Sequence, residues 1–392
     1  MSLRSVTARV RALPAWGEAL VIYAISRVVS TAMLGTVFIL ASTSGWPFAS
    51  KRKDPTFFTF LGSWDASWYR KIADMGYPTS LPLDAKGEVL SNAWAFLPVF
   101  PYLSKGLASL TGMSFFASGV VIATASGAAA AILLYRLILL RAPRLQARWG
   151  TIFFCFAPLS FILQVAYAES LVLALTFGAL IALMKRQYAL MTLLAVISAF
   201  TRPGALALAL ALGIHLVVRW VGSEPFPWRE RWTIAVSGII ISAAGLSWPL
   251  VASAATGRPS AYLETELAWW VPLIGRVEFV PLTPWFALAQ RWMGVAGIVA
   301  VLAIVAGAIW WMTRPHVKEL GHEIVAYSAS YALYLFAVFL PQQSTYRLLM
   351  PLSPLLGDRV FSATAARRWG LLCGCVVLQA AAIIFLWFLS FP

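Results

Sequence analysis

Long apolar runs recur along this chain, separated by short polar segments. A helix of about 20 apolar residues crosses the ~30 Å hydrocarbon core of a bilayer. Runs of that kind lie at 17–42, 114–140, 169–185, 232–255, 285–312, 322–340 and 369–390, with shorter or proline-broken ones at 149–165, 187–200, 203–220 and 345–358. Together they predict about eleven transmembrane segments. In hydrocarbon the backbone must satisfy its own hydrogen bonds, so such runs read as helices. The expected class is an all-α polytopic membrane protein, with residues 1–392 forming one integral membrane domain.

Composition agrees. Hydrophobic residues make up 60% of the chain and charged residues 11%, with a mean hydropathy of +0.79. A soluble chain carries about 25% charged residues. The net charge of +15 does not mark a nucleic-acid binder, because the basic residues sit at the ends of apolar runs. Retention of Lys and Arg on the cytoplasmic side explains them. With the N-terminus inside, the cytoplasmic segments are 1–16, 141–148, 185–187, 219–231, 313–321 and 359–368, which hold 16 of the 30 Lys and Arg. Two long segments, 44–113 and 256–284, then face outward. The apolar piece 94–112 cannot span, since every later loop would invert. It reads as an interfacial or re-entrant helix introduced by Pro98 and Pro101. Arg4, Arg9 and Arg11 precede the first run, which has no clear cleavage site and is expected to stay as an anchor. Cys155, Cys373 and Cys375 all lie in apolar segments, so no disulfide is expected.

The first outward segment contains the most distinctive stretch, residues 64–77. Trp64, Trp68 and Ile72 recur at helical spacing with Tyr69 and Ala73 beside them, while Asp65, Arg70, Lys71 and Asp74 point elsewhere. Ser63 is the expected N-cap and Gly76 the expected stop. This is the pattern of a short helix lying in the membrane interface.

Ionisable groups near a bilayer need partners, so each is a candidate site residue. Asp65 reads either as a helix-start carboxylate or as a general base at the membrane surface. Glu169 opens an apolar run and reads as half of a structural ion pair or as a site acid. Arg202 fits as its partner or as a phosphate ligand, since the guanidinium fork matches phosphate. Arg347 either snorkels to the headgroups or binds an anion. Glu264 and Glu266, with Arg258 and Tyr262, read as solvating the second outward segment. No P-loop and no glycine-rich nucleotide fingerprint is present. His215, His316 and His322 show no metal-ligand spacing, and Asp65 and Asp74 are too far apart to share a divalent ion. No metal and no cofactor is expected.

A carboxylate on an interfacial helix and arginines at outward helix ends suit a substrate with a lipid tail and an anionic head. A polyprenyl-phosphate sugar is such a substrate. An arginine would neutralise the phosphate leaving group, and a carboxylate would take the proton of an acceptor hydroxyl.

The same residues carry a resemblance. The stretch from Trp64-Asp65 through Trp68-Tyr69 to Gly76-Tyr77 resembles the first-loop motif of the PIG-V family of mannosyltransferases. Phe96-Leu97-Pro98 with Phe100-Pro101 is similar to the family's following Phe-Phe-Pro-x-x-Pro stretch. Tyr167-Ala168-Glu169-Ser170 is similar to its Tyr-Ser-Glu-Ser, and Thr201-Arg202-Pro203-Gly204 to its arginine turn. Tyr346-Arg347 reverses the family's Arg-Tyr order, and Lys71 stands where eukaryotic members have His. The resemblance implies a GT-C-type glycosyltransferase in a cell membrane, multi-pass, with its active site on the extracytoplasmic face. It would transfer a mannosyl (hexosyl) residue from a polyprenyl-phosphate sugar donor to a membrane-lipid, glycan or protein acceptor, with inversion. Asp65 would be catalytic. Trp64, Trp68, Tyr69, Arg70, Lys71, Tyr77, Tyr167, Glu169, Arg202, Tyr346 and Arg347 would bind substrate. The Ala- and Arg-rich composition resembles that of bacterial members. Two other readings stay open: a transporter or flippase of polyprenyl-linked glycans, and a non-catalytic subunit of an envelope glycan assembly complex. The lack of an inverted repeat and the one-sided placement of polar residues weigh against transport.

Overall fold

A computed structural model describes residues 13–48 and 55–390. The leader-like Arg4, Arg9 and Arg11, and positions 49–54 of the first long segment, lie outside the described residues. The described chain is helical, its only β feature a single bridge between Leu83 and Val89. In order the α-helices are α1 (Ala15–Thr43), α2 (Phe57–Leu61), α3 (Asp65–Met75), α4 (Val99–Thr111), α5 (Phe115–Leu139), α6 (Arg144–Phe156), α7 (Glu169–Met184), α8 (Tyr188–Ala199) and α9 (Ala205–Val221). The second half holds α10 (Trp228–Thr256), α11 (Ala261–Ala268), α12 (Val271–Ile274), α13 (Pro284–Met312), α14 (Pro315–Lys318), α15 (His322–Val338), α16 (Thr345–Leu348), α17 (Arg359–Ser362) and α18 (Ala365–Ala382).

Among the described residues five helices are long and apolar enough to cross a membrane: α1, α5, α10, α13, and α18 with its π-helical continuation to Phe388. The run 169–185 forms only the 16-residue α7, and 322–340 only the 17-residue α15. At 1.5 Å per residue each is about 25 Å long, short of a full hydrocarbon core. The broken runs behave as their prolines dictate. Residues 149–165 divide into the end of α6 and a 3₁₀ turn, Ser160–Gln164. Residues 345–358 are not a span at all; Pro351 and Pro354 leave α16 followed by a 3₁₀ segment, Met350–Gly357. α13 breaks at Gly294, which takes φ 58°.

The centre of the molecule is α5, packed on α1, α6 and α7, with α9 lying between α10 and α15. Close approach there depends on small residues. A side chain at Gly127 would collide with the Tyr23 hydroxyl, which donates to the carbonyls of Thr124 (2.9 Å) and Leu163 (3.1 Å). The outward face of α13 presents Val295, Val299, Leu302, Ile304 and Ile309. An apolar face of that length is stable only against lipid. This is a multi-pass membrane protein.

Residues between α1 and α5 form a cap of short helices. α4 covers about 20 Å at 13 residues and does not span. α3 buries Ala66, Tyr69, Ile72 and Ala73, a stripe rotated from the Trp64–Trp68 stripe that spacing suggested. Gly76 ends it, its N–H donating to the Ile72 carbonyl at 2.8 Å. Ser63 is not its cap. The Ser63 hydroxyl instead donates to the Phe60 carbonyl (2.8 Å), and Trp64 takes the N-cap position.

Candidate active site

Trp64 has φ 57° and ψ −116°. A bulky residue there stores about 1–3 kcal/mol of strain and persists only if its surroundings fix it. Its indole N–H donates to the Trp387 carbonyl (3.1 Å), so the C-terminal helix anchors the turn. The turn fixes the direction of Asp65, the first residue of α3. The Asp65 backbone N–H donates to the Tyr167 hydroxyl (3.2 Å), and its carboxylate accepts from Arg347 Nη1 (2.5 Å).

The same Arg347 nitrogen donates to Glu169 Oε1 (2.9 Å), which also accepts from Arg202 Nη1 (2.6 Å). Four residues from four distant segments thus make one ladder: Asp65, Arg347, Glu169, Arg202. Its local supports differ. Asp65 and Glu169 open α3 and α7, where the helix dipole favours a carboxylate. Arg202 sits in the turn between α8 and α9, closed by Gly204 at φ 135°, where an added Cβ would press on the Tyr331 ring at 3.2 Å. Arg347 lies in α16, its guanidinium 5.2 Å over the Tyr167 ring. A cavity beside the ladder is lined by Glu169, Ser198, Arg202, Gly204, Tyr331 and Arg347.

Two acids and two guanidiniums balance in charge, and Glu169 and Arg347 are buried. Among the described residues two buried atoms of the ladder have no hydrogen-bond partner: Arg347 Nε and Glu169 Oε2. The ladder thus keeps one donor and one acceptor unused. Burial pushes the Tyr167 hydroxyl well above its usual pKa, with the Asp65 carboxylate adding to the effect. Burial does the same to Tyr69, reinforced by Glu169. Both stay neutral phenols at ordinary pH.

The structure brings Asp65, Tyr167, Glu169, Arg202 and Arg347 into contact. Both arginines are paired, Arg202 with Glu169 and Arg347 with Asp65 and Glu169. Tyr69 is buried against Phe96 (5.5 Å) and Phe100 (5.2 Å). Trp68 stacks on Phe96 (5.8 Å), and Lys71 Nζ lies 4.1 Å from the Trp68 ring centroid. Arg70 pairs with exposed Asp74 (3.3 Å), and both line a surface groove with Lys71 and Met75. Tyr77 donates to the Phe96 carbonyl (2.8 Å) and stacks on Trp94. Tyr346 is exposed and outside the ladder.

Glu266 is the residue that sequence reasoning undervalued. Glu264 does solvate its segment, paired with Arg258 at 2.6 Å. Glu266, two positions on along α11, is part-buried. Desolvation pushes its carboxyl up to about 7, against the lowering effects of the Tyr262 hydroxyl and of Arg202. The signal available in the sequence was the neighbouring Trp269-Trp270, which places an aromatic surface at that end of the helix. The histidines also differ from expectation. They lack metal spacing along the chain, yet the fold places His215 and His322 side by side.

No family model matches the sequence, and no curated protein matches it either. Solved structures do. ArnT from Cupriavidus metallidurans, determined bound to undecaprenyl phosphate, superposes with a TM-score of 0.52 at 13% identity, covering 95% of this chain and 65% of that one. The fold is of the GT-C type. The oligosaccharyltransferase of Archaeoglobus fulgidus, in complex with Zn and sulfate, is similar over 92% of this chain and 52% of its own, at 13% identity and a TM-score of 0.48. The chain spans less than two thirds of the length of either protein.

Proposed function

We propose that this chain is a membrane glycosyltransferase that moves a hexosyl residue from a polyprenyl-phosphate sugar to an acceptor hydroxyl. The observation that carries the reading is the ladder, with its buried carboxylate–guanidinium contacts and its two unpartnered atoms. The GT-C fold supports it, since ArnT on that fold binds undecaprenyl phosphate. The resemblance to the PIG-V family points to mannose as the sugar and to the outer face of the membrane as the place of reaction.

In this reading the donor phosphate docks on Arg347, taking the Nε–H that has no partner and drawing Nη1 away from Asp65. Glu169, still held by Arg202, keeps Arg347 in position, and its free Oε2 accepts from a sugar hydroxyl. Asp65, released from Arg347, accepts the proton of the acceptor hydroxyl. The acceptor oxygen attacks the anomeric carbon from the side opposite the phosphate, so configuration inverts. The anomeric C–O bond breaks, and its electron pair leaves on the polyprenyl phosphate, where Arg347 meets the added charge. Base assistance of this kind contributes about 10²–10⁴-fold. Tyr167 holds the Asp65 backbone, and Tyr69, Trp68 and Trp64 form the aromatic wall beside it. Arg70, Lys71, Tyr77 and Tyr346 lie away from the ladder and contribute headgroup or acceptor contacts.

The reading is tested by reconstituting the protein in vesicles with radiolabelled polyprenyl-phosphate mannose and extracted envelope acceptors. Label should pass to a new glycoside while polyprenyl phosphate accumulates. Movement of intact labelled lipid across the bilayer, with no new glycoside, would make the protein a flippase.

A further inference from the structure

α9 and α15 run antiparallel. Gly204, just before α9, meets Tyr331 of α15, and His215 of α9 meets His322 at the start of α15. His215 is ten residues into α9, so this second meeting point lies about 15 Å along the helix from the ladder. Here a chain of polar groups is buried or half-buried: Glu230, Tyr188, His215, His322 and Glu323, with Arg219 and Arg141 at its two ends.

The hydrogen positions follow from the contacts. Arg219 Nη2 donates to Glu230 Oε2 (3.2 Å), so one oxygen of Glu230 is already engaged by a cation. The Tyr188 hydroxyl therefore spends its only proton on Glu230 Oε1 (2.7 Å). It must then accept from His215 Nε2, 3.3 Å away. His215 Nδ1 is left with a bare lone pair, and it faces His322 Nε2 at 2.9 Å. If His322 donates that proton, its own Nδ1 becomes a second bare acceptor, 3.6 Å from Glu323 Oε2. The Glu323 carboxylate is held by Arg141 Nη2 at 3.0 and 3.1 Å. The two arginines and two carboxylates balance in charge, but the facing acceptors are left with no donor between them.

We propose that His215, His322 and Glu323 form a binding site for a divalent transition-metal ion of the zinc type, distinct from the ladder. One ligand atom from each residue lies within 4.8 Å of the others. Two imidazole nitrogens and a carboxylate oxygen suit such an ion, which leaves a fourth position for water. Tetrahedral zinc at ~2.0–2.1 Å from each nitrogen sets them about 3.3 Å apart, so the 2.9 Å gap needs to open by about 0.4 Å and the two rings, now only 16° from coplanar with centroids 5.1 Å apart, need to turn so that both lone pairs meet the ion. The outer contacts are those of a metal-ligating histidine. His215 donates its other N–H to Tyr188, which is held by Glu230; this fixes the tautomer that presents Nδ1 to the ion. Gly321, at φ 93°, makes the turn possible, because a Cβ there would come within 2.8 Å of Arg141 Nε. The ion would clamp α9 to α15 at the end opposite the ladder.

The test uses full-length protein purified through a tag without histidines, titrated with Co²⁺ and with Zn²⁺ alone. Co²⁺ should give the strong visible bands of a tetrahedral site with one ion per chain, displaced by Zn²⁺, and Zn²⁺ should raise the melting temperature until one equivalent is bound. His215→Ala and His322→Gln should each weaken binding at least ~10-fold, while His316→Ala, whose histidine pairs with Asp358 elsewhere, should leave it unchanged. Absence of the bands in the wild type would assign the gap between the acceptors to a proton and overturn the site. Binding equal in the wild type and His215→Ala would do the same. If the histidine variants fail to fold, Tyr188→Phe, which removes only the tautomer-fixing hydroxyl, should still weaken Co²⁺ binding, and unchanged affinity would count against the proposal.

Discussion

Arg347 holds two acids at once, so its removal should cost more than any single contact suggests. In Arg347→Leu the Asp65 carboxylate loses its 2.5 Å partner and Glu169 keeps only Arg202. Asp65 is 20% exposed and recovers some hydration, whereas Glu169 is 3% exposed and cannot. Truncating one side of a buried ion pair costs about 3–5 kcal/mol, mostly from the charge left behind. At about 2 °C per kcal/mol for a chain of this size, the apparent melting temperature should fall by about 6–10 °C. The mechanism of that loss can be isolated. Adding Asp65→Asn to Arg347→Leu removes one stranded charge, so the double variant should melt above Arg347→Leu by an amount corresponding to about 0.5–3 kcal/mol of coupling. Arg347→Lys retains the charge and should lose less than half as much as Arg347→Leu. The assay is thermal unfolding in detergent at fixed salt. A melting temperature for Arg347→Leu within 1 °C of the wild type, at a precision of about 0.3 kcal/mol, would refute the reasoning. So would strictly additive losses in the double variant.

Glu266 makes stability fall with rising pH. Its folded pKa of about 7 lies above the usual 4.5 of a free glutamate, so the folded state holds the proton between those values while the unfolded state releases it. Stability should therefore drop from pH 4.5 to 7, and Glu266→Gln should flatten that slope and melt higher than the wild type at pH 8; an unchanged slope would contradict the assignment. The basic-residue pattern predicts opposite sides for residues 80 and 223, so single cysteines at Ser80 and Ser223 should differ in labelling by an impermeant thiol reagent in intact cells, with Ser80 reactive. Labelling of Ser223 alone would invert the topology. Arg347→Lys keeps a positive charge but loses the planar fork, and it should raise the donor KM and lower kcat together; unchanged donor kinetics would place the phosphate elsewhere.

The long helices were legible because lipid-facing runs are apolar over their whole length, as in 17–42 and 285–312. α7 was misleading for a physical reason. Its residues Val172, Leu173, Phe177, Leu180 and Leu183 are buried inside the protein, so hydrophobicity there reports the core and not the bilayer, and length cannot be inferred from it. The four ladder residues were visible as charges in apolar surroundings. Their pairing was not, because Arg347 lies 282 residues from Asp65 and 178 from Glu169, and spacing carries no information at that range. The two acids of α11 show the same limit locally. Glu264 and Glu266 are two residues apart, so about 200° of helix rotation separates them, and only the packing decides which one is buried. Ser63 does not cap α3, because its hydroxyl turns back to donate to the Phe60 carbonyl and Trp64 takes the N-cap position, which a sequence pattern does not register.

The central claim is that Asp65 is the base for transfer from a polyprenyl-phosphate sugar. It is tested most directly by comparing wild type and Asp65→Asn in single-turnover transfer of labelled mannose from the polyprenyl-phosphate donor, with donor binding measured on the same preparations. Asparagine keeps the size of the side chain and can still accept from Arg347, so folding and donor affinity should hold. The transfer rate should fall by at least ~10²-fold. A well-folded Asp65→Asn protein that transfers at a rate near the wild type would contradict the account and return Asp65 to the role of a helix-start carboxylate in an ion-pair ladder.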